Sequence, residues 1–128
     1  KLDAYLLRPP QHSQVLLASA QVLWLQTEAA RATGWRPVAD GRSAQTLANQ
    51  GQLVVAGFQS PDPRKPGHIA IVRPAEFSEQ SLQDNGPRLT QAGQKNYLST
   101  NARIAFRYHP GAWPDGIRYF VFDGKSAP

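Results

Sequence analysis

Two apolar runs, QLVVAGF over residues 52–58 and HIAIVRP over residues 68–74, are separated by the nine-residue stretch QSPDPRKPG. That arrangement restricts the fold more than any other feature of the chain. Val54, Val55, Ile69, Ile71 and Val72 are β-branched and favour a pleated, packed surface over a helix. Pro61, Pro63, Pro66 and Gly67 remove donors and punctuate the backbone, so the intervening stretch neither continues a strand nor begins a helix. The chain must turn there and come back, which makes the pair an antiparallel hairpin. QLVVAGF is so apolar that it reads as an inner strand. A sheet of this kind needs other elements to cover it.

The preceding sequence supplies the cover. From Ser13 to about Ala32, Leu16, Ala20, Leu23 and Thr27 share one helical face, and Val15, Leu17 and Trp24 widen it, predicting a buried helix that Gly34 stops. GWRPV leads out of it with Trp35 as an anchor. Ser43 is the expected cap of a short helix running through Asn49 and ended by Gly51. Before the long helix, LDAYLL is a short amphipathic piece stopped by Pro9 and Pro10. Beyond the hairpin, SLQDNGP reads as a polar loop and RLTQAG as a third strand. Ser99 is the expected cap of a short helix over NARIAFRY, and GIRYFVF is the last strand. The segments 52–58, 68–73, 88–92 and 117–122 are therefore expected as strands of one sheet. The fold class is α+β, an antiparallel sheet of about four to six strands packed on N-terminal helices. With 128 residues, 41% of them hydrophobic, residues 1–128 form one domain able to bury a core.

The formal net charge is +5, which favours an anionic partner such as a bacterial wall polymer. The basic residues are scattered, with no aromatic-rich basic strand, so nucleic acid is not expected as a partner. No apolar run reaches the roughly 20 residues that span a bilayer. The chain contains no cysteine, which excludes disulfides, thiolate metal sites and a cysteine nucleophile within these residues. No cofactor and no metal are expected. His12 and His109 have no metal-ligand spacing to His68, and the nine carboxylates form no pair at a spacing that marks a glycosidase.

His68 opens an otherwise apolar strand, where the core's edge meets solvent. A histidine titrating near 6.5 can accept and return a proton there. The blocks ANQGQLVVAGF, KPGHIAIVRP and GPRLTQAGQKNY, in that order, resemble the papain-like cell-wall hydrolases, the CHAP and NlpC-type amidases and endopeptidases. The resemblance covers roughly residues 43–122. It implies that His68 is the general base and acid, and that a polar residue on the third strand orients its imidazole, either Gln91 or Asn96. It also implies a substrate in the peptide part of peptidoglycan and a periplasmic or extracellular place of action.

That group carries its nucleophilic cysteine at the start of a helix N-terminal to the strands, and this chain has none. Ser13 reads as a helix cap and Ser19 as a small residue in a packed helix, so neither is expected to replace it. The favoured expectation is a cysteine-bearing helix upstream of Lys1, with the 128 residues inactive by themselves. The alternative is a non-catalytic module that recognises a wall peptide or a protein with the retained fold. Either way, apolar sheet surface is expected to be covered by an upstream segment or by a partner.

Overall fold

The computed structural model describes residues 17–91 and 97–124, with Leu17, Gln91, Tyr97 and Leu98 described by backbone alone. A six-stranded antiparallel sheet forms the centre, in the order β1-β6-β2-β3-β4-β5. Its strands are β1 Trp35–Val38, β2 Leu53–Phe58, β3 His68–Val72, β4 Arg88–Gln91, β5 Tyr97–Asn101 and β6 Arg118–Phe122. The helices are α1 Leu17–Leu25, α2 Glu28–Thr33, α3 Gly41–Asn49, α4 Glu79–Asn85 and α5 Ala102–Ala105. The four expected strands are all present, and β2 and β3 form the expected hairpin, with Phe58 opposite His68 and Val54 opposite Val72. No helix among the described residues is long and apolar enough to cross a membrane.

Within its described part, the single helix expected from Ser13 to Ala32 is two. Thr27 breaks it: its hydroxyl donates to Trp24 O at 2.6 Å and accepts the Ala30 amide, capping α2. Three other expectations are corrected. Asp40, not Ser43, caps α3, its carboxylate accepting the Ser43 amide at 2.8 Å. Asn101, not Ser99, caps α5, because Ser99 lies inside β5. Part of the polar loop at SLQDNGP is α4, opened by a reciprocal Ser78–Ser81 capping box.

Strand alternation gives the sheet two apolar faces. On one, α1 lays Val22 against Gly57, with Leu25, Val55, Trp35 and Phe120 around them. On the other, Ala44 and Ala48 of α3 and Ala102 and Ala105 of α5 meet Val54, Ala56, Phe58, Ala70 and Val72. Gln45, 1% exposed, locks α3 to the sheet. Its Nε2 donates to Arg73 O at 2.8 Å, and its Oε1 accepts the Arg88 amide at 2.8 Å.

Candidate functional site

His68 begins β3 opposite Phe58, so its ring emerges on the α3/α5 face of the sheet. The approach to it depends on Gly67. A Cβ there would lie 2.3 Å from Phe58 O and 2.5 Å from Ser19 Oγ, so glycine alone lets the backbone pass between β2 and α1. Ser19 Oγ accepts the Ser60 amide at 3.1 Å and thereby pins the β2–β3 loop to α1. The loop is further braced within itself, since Ser60 Oγ donates to Asp62 O at 3.0 Å and the Asp62 carboxylate accepts the Arg64 amide at 2.9 Å.

His68 is half-buried, and the chain that follows α5 lies over it. Phe106, fully buried, presents its ring to the imidazole edge-on at 4.9 Å. His109 stacks on His68, the two rings 5.0 Å apart and 12° from parallel. Phe58 approaches His109 edge-on at 6.2 Å. Burial lowers the His109 pKa below the ordinary histidine value, opposed by a hydrogen bond to the Pro66 backbone. Proline offers only a carbonyl, so His109 donates there. The neutral ring then keeps its second nitrogen as an acceptor at neutral pH.

A cleft of about 350 Å³ opens beside His109. Its walls include Phe58, Pro61, Pro66 and Tyr108, and Asp62 and Lys65 stand among them as charged groups. Tyr108 is 79% exposed and carries the Arg107 guanidinium 4.5 Å from its ring centroid. The arrangement suits a ligand with an apolar body and polar ends: flat apolar walls, a carboxylate and an ammonium, and a ring nitrogen that accepts a proton.

Of the residues expected at the site, His68 is where the sequence places it, at the strand mouth. Gln91 is on β4, next to β3; Thr90, the residue before it, pairs with Ile71. The Gln91 side chain and all of Asn96 lie outside the described residues, as do His12 and Ser13. Ser19 lies across the strand from the imidazole, on the α1 face, with its hydroxyl bonded to Ser60. Spacing alone assigns His109 no role. Nothing local in RYHPGAWP signals its role, because it reaches His68 only through the packing of Phe106 and Ala112 into the core. Among the described residues no group of three histidines, aspartates or glutamates is placed to hold a metal ion. No protein-family model matches the chain, and no curated protein matches it.

Proposed function

We propose that this is a domain of the peptidoglycan amidase and endopeptidase type, which receives the peptide part of the cell wall at the His68–His109 corner. The supporting observation is His109, which stacks on His68 and lines a cleft with apolar walls that also carries the charged groups of Asp62 and Lys65. A wall peptide has the matching chemistry of amide backbone, short aliphatic side chains and free charged ends. His68 would serve as general base and acid, with His109 covering one ring face and fixing its plane. The substrate polymer lies outside the cytoplasmic membrane, so the proposed place of action is the periplasm or the cell exterior.

A second reading, a wall-peptide-binding module without hydrolysis, is favoured by one specific arrangement. The chain has no cysteine, and the Ser19 hydroxyl is engaged on the opposite face of the sheet from His68. One experiment separates the two readings. The isotopically labelled chain is titrated with soluble muropeptides while the imidazole resonances of His68 and His109 are followed, and free amine is assayed in the same samples. Saturable shifts at both histidines support the site, and amine release identifies cleavage. Shifts that fail to saturate, or that map to another surface, defeat the proposal.

A further inference from the structure

A second cavity, of about 370 Å³, lies on the other side of the sheet, where the α1–α2 turn faces β1 and β6. Leu25, Trp35, Val38, Ile117 and Phe120 give it apolar walls. Arg31 of α2 and Arg118 of β6 bring two guanidiniums to it from separate elements. Most other described arginines are engaged: Arg36 with Asp123, Arg42 with Glu79, Arg64 with Asp62, Arg103 with Asp84 O. Neither Arg31 nor Arg118 makes an ion pair or side-chain hydrogen bond among the described residues. Asp115 also lines the cavity but pairs with neither.

The wall adds an independent observation. Trp35 is 4% exposed, and its indole nitrogen is the one buried side-chain polar atom among the described residues with no hydrogen-bond partner. A buried donor left unmade is costly, and structures seldom retain one without a reason. Two guanidiniums with no partner among the described residues thus reach one cavity whose wall includes Trp35, Leu25 and Phe120. Guanidinium donors match a planar oxyanion in particular.

We propose that this cavity is a binding site for a small carboxylate with an apolar body, of the size and chemistry of an aliphatic amino-acid C-terminus. Arg31 and Arg118 hold the carboxylate, and the apolar part of the wall takes the side chain. Asp115 opposes the anion and limits affinity.

The test uses the full chain labelled with ¹⁵N, the Trp35 indole resonance being assigned through Trp35→Phe. N-acetyl-leucine, N-acetyl-leucinamide and inorganic phosphate are the probes. N-acetyl-leucine should shift the Trp35 indole signal saturably, with the amide weaker by about tenfold or more, as expected for loss of a charge-assisted hydrogen bond. Arg31→Ala combined with Arg118→Ala should weaken the acid by a similar factor. Arg88→Ala, which removes a surface guanidinium elsewhere that also has no partner among the described residues, should leave binding unchanged, and Asp115→Asn should tighten it. Equal binding of acid and amide, absence of saturation, or indifference to the double substitution overturns the proposal. Phosphate binding as tight as N-acetyl-leucine would overturn it too, since the apolar walls would then contribute nothing.

Discussion

Gln45 satisfies three groups from a single buried position. Besides the Arg73 carbonyl and the Arg88 amide, its Nε2 donates to Asn49 Oδ1 at 3.0 Å. Truncating it strands a backbone amide and a backbone carbonyl in the interior. Gln45→Ala is therefore expected to destabilise the fold by about 2–4 kcal/mol, read from denaturant unfolding, with Gln45→Glu recovering only part of the loss. His109 gives a pH dependence whose sign follows from its burial. Its pKa lies below that of the unfolded chain, so as pH falls below about 6.5 the unfolded state takes up the proton first and stability drops. Above that pH the neutral ring costs nothing. The melting temperature should fall as pH drops below about 6.5 in the native sequence, and less steeply in His109→Gln. A slope unchanged by the substitution would assign the effect to other groups.

Helix α1 sits close on the sheet because Gly57 has no side chain. A Cβ there would fall 2.5 Å from Val22 Cγ2, and Val22 is fully buried. Gly57→Ala should cost roughly 1–3 kcal/mol as an overpacked contact. The double substitution with Val22→Ala should be less than additive, because the second change makes room for the first. At α3, the Asp40 carboxylate is held below its ordinary pKa, chiefly by the Ser43 amide. That stabilisation is present above about pH 4 and is lost as pH falls through the lowered value. Asp40→Ala should remove about 1 kcal/mol at neutral pH. The inner strands were legible in the sequence because each is apolar and β-branched. The two strands that escaped, β1 and β5, are the two edges of the sheet. Trp35–Val38 contains Pro37, which an edge tolerates, and Tyr97–Asn101 is mostly polar, since an edge needs no continuous apolar run. Helix α4 escaped for a related reason: it buries no residue, so its segment shows no apolar stripe. The break at Thr27 was hidden because apolar residues continue on both sides of it.

Across the whole molecule, the site was half visible. His68 declares itself by interrupting an apolar strand, whereas His109 is separated from it by 41 residues (109 − 68) and meets it only once α5 has docked. The charge of +5 belongs to this scale as well. If it draws the domain to an anionic wall, retention on purified sacculi should fall steeply as salt rises from about 0.1 M, where the screening length is about 10 Å, toward 1 M, where it is about 3 Å. Retention indifferent to salt would assign binding to the cleft alone. The strand order has a consequence for how the molecule is made. β6 lies between β1 and β2 and pairs with both, Val121 meeting Arg36 on one side and Val54 on the other. Of these six strands, the last to leave the ribosome is thus an interior one. Until Phe122 has emerged, β1 has no neighbour to pair with and β2 presents an unpaired apolar edge, the kind of surface on which nascent chains associate. A ribosome-bound chain arrested at Gly116 should be cut readily by protease and bound by a chaperone, and one with β6 fully exposed from the tunnel should resist both.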